Sequence, residues 1–237
     1  MRRALLAAAI LALALVPSGS AAQLGAQLYG ANCISCHGAG GHGIRDRGPS
    51  LRGVGAQAAD FYLRTGYMPL ANPHSQPHRT RVRFSRGELA ALVAYVASLG
   101  GGPPIPMPHP ERGDLAQGQE DFTDHCAGCH QVDAKGGYVT NAIAPALDRA
   151  SAVEIAEAVR TGPYLMPRFS PKQISDAELD SIIRYVDYAK DPNDRGGWAL
   201  GHLGPIPEGM VAWLIAGAAL VAVALLIGRR HRPEDEP

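Results

Sequence analysis

The hydrophobic pattern of the chain falls into three registers. At the N-terminus, Met1-Arg2-Arg3 leads into an unbroken apolar run over residues 4–16, followed by the small-residue stretch 17–22. A basic start, a short apolar centre and a small-residue exit predict a secretory signal peptide over residues 1–22. The run falls short of the ~20 residues a membrane span needs. An uncleaved N-terminal anchor is the alternative, and both readings export the chain that follows. Near the other end, residues 210–228 carry no charge and stop against Arg229-Arg230-His231-Arg232. That length predicts one transmembrane helix, and the basic flank predicts a cytoplasmic tail over residues 229–237.

The third register lies between these ends and occurs twice. Leu89, Leu92, Val93 and Val96 follow the i, i+3, i+4, i+7 spacing of an amphipathic helix, as do Leu179, Ile182, Ile183 and Val186. Each set sits behind a capping box, Ser85-x-x-Glu88 in one case and Ser175-x-x-Glu178 in the other. Tyr95 and Tyr185 fall at matching places within the two helices. Upstream, Gly25 and Tyr29 share one helical face, and so do Gly118 and Phe122. A duplicated, mainly α domain is the expectation.

Composition narrows the function. Lys+Arg and Asp+Glu are both 22, so the net charge is zero and no general basic surface for nucleic acid is indicated. With 28 glycines, 19 prolines and only 6% aromatics, the chain reads as small, loop-rich domains. The four cysteines carry the chemistry. Cys33-Ile-Ser-Cys36-His37 and Cys126-Ala-Gly-Cys129-His130 have the C-x-x-C-H pattern of c-type haem attachment. Two thiols at that spacing form thioethers with the two vinyl groups of one porphyrin, and the adjacent histidine becomes an axial ligand of the iron. A zinc site is disfavoured because neither copy holds a second cysteine pair to complete four thiolates. Two covalently bound haem c groups are therefore expected, with all four cysteines consumed.

The surroundings of the motifs repeat as well. Gly48-Pro49-Ser50-Leu51 is echoed by Ala144-Pro145-Ala146-Leu147, and Arg64-Thr65-Gly66-Tyr67-Met68-Pro69 by Arg160-Thr161-Gly162-Pro163-Tyr164-Leu165-Met166-Pro167. Each copy thus resembles a class I cytochrome c, over residues 23–100 and 113–191. The resemblance implies that Pro49 and Pro145 offer a backbone carbonyl to the proximal histidines His37 and His130, and that Met68 and Met166 are the distal ligands. His42 and His74 rival Met68 in the first copy but have no counterpart in the second; His125 reads as a polar helix position. A His/Met haem is six-coordinate, which suits electron transfer rather than oxygen chemistry. Residues 101–112 form a Pro/Gly linker that cannot continue a helix.

The order of the parts, two cytochrome c domains, a juxtamembrane segment over residues 192–209 and then the span at 210–228, resembles the dihaem cytochrome c subunit of the actinobacterial cytochrome bc complex. Asp46-Arg47-Gly48-Pro49, Gly101-Gly102-Pro103 and Leu203-Gly204-Pro205-Ile206-Pro207-Glu208-Gly209-Met210 carry that likeness. It implies membership of a quinol–cytochrome c reductase in the plasma membrane, with the haem domains outside. It also implies three partners: a Rieske iron–sulfur subunit as electron donor, cytochrome b in the membrane, and a haem–copper oxidase as acceptor. A dihaem peroxidase, a thiosulfate-oxidising enzyme and a stand-alone tethered cytochrome are the alternatives.

Overall fold

The two apolar repeats form helices in the computed structural model, which describes residues 19–193 and 205–230. Residues 1–18, 194–204 and 231–237 lie outside it, and with them most of the expected signal peptide, much of the juxtamembrane segment and the end of the tail. In the first domain, α1 (Gly19–Asn32), α2 (Ile34–His37), α3 (Gly55–Arg64) and α4 (Arg86–Ser98) follow in order. The second has α5 (Leu115–His125), α6 (Ala127–His130), α7 (Ala152–Thr161) and α8 (Asp176–Lys190), with a small hairpin of β1 (Gly137–Val139) and β2 (Ala142–Ala144) before α7. The hairpin pairs Gly137 with Ala144 and Val139 with Ala142. The fold is mainly α, as the periodicity predicts, and the hairpin is an addition.

Each domain is built on a crossing of its first and last long helices. Both capping boxes form, Ser85 with Glu88 and Ser175 with Glu178, and they fix where α4 and α8 begin. The stripes behind them are buried: Leu92 is 1% exposed and Ile183 is 0% exposed, each contributing roughly 1.5–3 kcal/mol. Glycine is required where the helices cross. A Cβ on Gly25 would drive into the Ala91 carbonyl, and one on Gly118 into the Ser181 carbonyl. Beside each crossing stands an aromatic pair, Tyr29–Tyr95 at 5.1 Å and Phe122–Tyr185 at 5.3 Å between ring centres. A hydroxyl from each pair ties down the chain beyond the haem motif. Tyr29 donates to the Gly38 carbonyl in one domain; in the other, where Phe122 lacks a hydroxyl, Tyr185 donates to the Val132 carbonyl.

Of the described residues, those from 19 to 186 form one compact unit that holds both domains as far as Val186 on α8, and those from Asp187 onward belong to a second. Within the first unit the domains meet through α3 and α7, whose buried faces mix apolar residues (Ala59 and Phe61 on one, Ile155, Ala156 and Val159 on the other) with polar ones: Gln57 and Asp60 on one, Glu154, Glu157 and Arg160 on the other. Gln57 Nε2 donates to Thr161 Oγ1 at 3.0 Å. Gln76 grips the hairpin twice, its amide donating to the Ile143 carbonyl and accepting from the Ile143 N–H. The 101–112 segment does not continue a helix but it is not loose. Gln57 N–H donates to the Pro103 carbonyl, Ile105 packs against the first core, and His109 N–H donates to Asp180 on α8.

In the second unit, α9 (Pro205–Arg230) starts five residues before the expected span. Pro205 and Pro207 sit in its first turn, where a missing N–H costs nothing. Its Gly209–Arg229 stretch has a mean hydropathy of 2.7 and buries nothing within the chain, so it is long and apolar enough to cross a membrane.

Candidate haem-binding sites

The C-x-x-C-H pentapeptides are each one tight helical turn. His37 N–H bonds to the Cys33 carbonyl and His130 N–H to the Cys126 carbonyl, both at 2.9 Å. A turn of that pitch gathers positions i, i+3 and i+4 on one side, so two thiols and an imidazole face one cavity. The chain then leaves in the left-handed region, through Gly38 (φ 75°) in the first copy and Gln131 (φ 61°) in the second.

The first cavity, about 590 Å³, is lined by Cys33, Cys36, His37, Pro49 and Met68. The second, about 450 Å³, is lined by Cys126, Cys129, His130, Pro145 and Met166. The expected residues are therefore brought together twice, in the same combination. His37 Nδ1 lies 2.9 Å from the Pro49 carbonyl and His130 Nδ1 lies 3.0 Å from the Pro145 carbonyl. Since a carbonyl only accepts, each Nδ1 carries a proton, so in the neutral imidazole Nε2 is the nitrogen with the lone pair. Burial pushes the His130 pKa down against the opposing pull of the Pro145 carbonyl, which favours the neutral, ligating form. Burial, then the Asp121 charge, pushes the Cys126 thiol up to about 12, and burial also raises Cys33. Two thiols, a tautomer-fixed imidazole and a thioether around a mainly apolar cavity fit a c-type haem.

Other groups line these walls. His42 and His74 reach the first cavity alongside Met68. His125 reaches the second, with its ring 6.1 Å from that of Phe169; the sequence treats it as a plain helix position. The Met166 loop is clamped by Arg160, 8% exposed, which donates to the Phe169 and Ile174 carbonyls and to Asp176. The repeated Arg-Thr-Gly motif marks Arg160, but its partners lie 9 to 16 residues downstream and leave no local signature.

A duplicated haem-attachment turn inside duplicated crossed-helix domains defines a tandem class I cytochrome c. The family described as "Cytochrome c" matches residues 22–100, and "Cytochrome C oxidase, cbb3-type, subunit III" matches residues 113–186. The chain is 40% identical over 226 residues to the cytochrome bc1 complex cytochrome c subunit of Corynebacterium diphtheriae, covering 88% of this chain and 80% of that one. It is also 40% identical to that of Mycobacterium tuberculosis, covering 90% and 79%. A cbb3-type cytochrome c oxidase subunit of Azospirillum is 28% identical over 68% of this chain and 60% of its own length. The chain belongs to the family of cytochrome bc1 complex cytochrome c subunits: it is an electron carrier with covalently bound haem c.

Proposed function

We propose that this chain is the membrane-anchored dihaem carrier of a quinol-oxidising cytochrome bc complex, taking electrons from the Rieske iron–sulfur subunit and delivering them to a haem–copper oxidase. The observation that carries this reading is the donor set assembled twice, once per cavity, in a chain 40% identical to bc1-complex cytochrome c subunits. Haem c, held once in each cavity, supplies one-electron transfer.

The protein's part follows from its residues. Cys33 with Cys36, and Cys126 with Cys129, anchor the porphyrins as thioethers. Pro49 and Pro145 orient His37 and His130 as proximal ligands. Met68 and Met166, on the same cavity walls, would be the distal ligands, and a thioether donor would raise the reduction potential. Helix α9 is the anchor, packed beside cytochrome b, and its Arg229–Arg230 end lies at the cytoplasmic face, so both cavities lie outside. Residues 1–22 are the export signal, 23–100 and 113–191 the haem domains.

Purification of the native complex through a tag on this chain tests the proposal. The expected result is co-purified cytochrome b and Rieske protein, with two low-spin haems per chain that survive acid–acetone extraction and are reduced by quinol. One haem per chain, or a high-spin ferric haem, overturns the dihaem carrier in favour of peroxidase-type chemistry. Two low-spin haems without cytochrome b leave a stand-alone tethered cytochrome.

A further inference from the structure

The two cavities are not built alike. The first is walled wholly by residues 32–84 of its own domain. The second borrows part of its wall from the first domain, where Phe61, Thr65, Tyr67, Gln76, Pro77 and Arg79 line it. The borrowing runs through one loop. After Met68, residues 69–71, Pro73 and His74 line the first cavity, and Gln76, Pro77 and Arg79 then turn to the second.

Charge follows the same division. The arginines of the first cavity, Arg45 and Arg47, are local; of the two at the second, Arg149 is local and Arg79 is imported. Arg79 is held from both sides. Next to it, Thr80 Oγ1 donates to the Gly66 carbonyl at 2.5 Å, and three residues before it Gln76 grips Ile143. Its own Nη1 donates to Glu154 at 3.1 Å, on the same cavity wall. The Glu154 side chain is 7% exposed. Burial would raise its pKa, but Arg79 and the Ser151 cap outweigh that and hold the carboxyl below its usual range. The wall therefore carries a fixed cation and a fixed anion from different domains.

We propose that Arg79 of the first domain, balanced by Glu154, tunes the reduction potential of the haem held by Cys126, Cys129 and His130. The ferric haem carries one positive charge more than the ferrous haem, so a nearby cation favours the ferrous form and raises the potential, while an anion lowers it. This rests on the reading that each cavity holds a haem. Arg79 is a tuning residue and ligates nothing.

Redox titration of the purified holoprotein tests the proposal, with the wave of the second haem identified by its response to Met166→His. Arg79→Gln is expected to lower that wave about tenfold in the reduction equilibrium, ~59 mV for a one-electron couple, and to leave the first haem's wave in place. Glu154→Gln, which keeps its capping hydrogen bonds, is expected to raise it. Arg79→Lys, which keeps the charge but loses the guanidinium fork, is expected to hold the wild-type potential. Equal shifts in both waves, or none in Arg79→Gln with both haems bound, overturn the inference and leave the dihaem reading intact. A single haem per chain in the wild type overturns the reading itself.

Discussion

Arg64 and Arg160 occupy the same place in the repeated Arg-Thr-Gly motif, yet they act differently. Arg64 turns back to Asp60 on its own helix, 2.6 Å away, with 45% of its side chain exposed. Arg160 is buried and spends its donors on the loop that carries Met166. Removing it strands two carbonyls that the guanidinium now satisfies, so Arg160→Gln is expected to destabilise the second domain by about 2–5 kcal/mol. The loosened loop should also weaken the methionine-to-iron absorption band of the second haem and leave that of the first unchanged. Spectra of the ferric protein during denaturant titration read both effects.

Two elements make clear demands at the next scale. At the α5–α8 crossing there is no room for a side chain on Gly118, and the obstruction is the Ser181 backbone, which has no rotamer to escape into. Gly118→Ala is expected to cost about 1–3 kcal/mol by forcing the helices apart, read as a lowered thermal midpoint of the second domain. Helix α9 tests the membrane assignment. Leu220→Arg sets a charge in the middle of the apolar stretch, an insertion cost of about 2.5–3.5 kcal/mol. It should release the chain from membranes washed with carbonate, whereas the wild type stays. The elements also divide by how far the sequence reveals them. The stripes of α4 and α8, their capping boxes and the haem-motif turns are local patterns, and they are legible in the chain. Helices α3 and α7 are legible only in part: Ala59 and Phe61, and Ile155, Ala156 and Val159, follow the apolar pattern, but the same buried faces carry Gln57, Asp60, Glu154 and Glu157, which periodicity assigns to solvent. The burial of those polar residues comes from tertiary packing, which no single window of sequence contains. The Ser151–Glu154 capping box is a local signal that marks the start of α7. For the same reason the sequence assigns each set of ligands to its own repeat and misses the residues that the first domain lends to the second cavity.

For the joined domains, the contact between α3 and α7 carries a pH dependence. Glu157 is fully buried, and neither of its carboxylate oxygens has a donor. Around it stand Asp60 and Arg64 from α3 and Glu154 from its own helix. Burial first, then the charge and hydrogen bonding of Asp60, raise its pKa to about 9, against a smaller pull from Arg64. Glu157 therefore keeps its proton at neutral pH. A carboxyl whose folded pKa is raised stabilises the fold fully below its ordinary value of 4.5, and that stability is lost as pH rises toward about 9. The denaturation midpoint is expected to fall over this window, by on the order of 1–4 kcal/mol. Glu157→Gln supplies Asp60 with an amide donor and should flatten the profile; an unchanged slope in this variant would place the titration elsewhere.

The stretch between the domains, with Gln57 N–H on Pro103, Ile105 in the first core and His109 N–H on Asp180, leaves neither domain free to swing. A carrier whose halves met by hinge motion would slow in a thick solvent, because each electron would wait for a diffusive encounter. Here the spacing between the two cavities is set once, when the chain folds. Exchange between them then behaves as conduction through a solid: its rate constant should be indifferent to added sucrose or glycerol and respond to driving force alone.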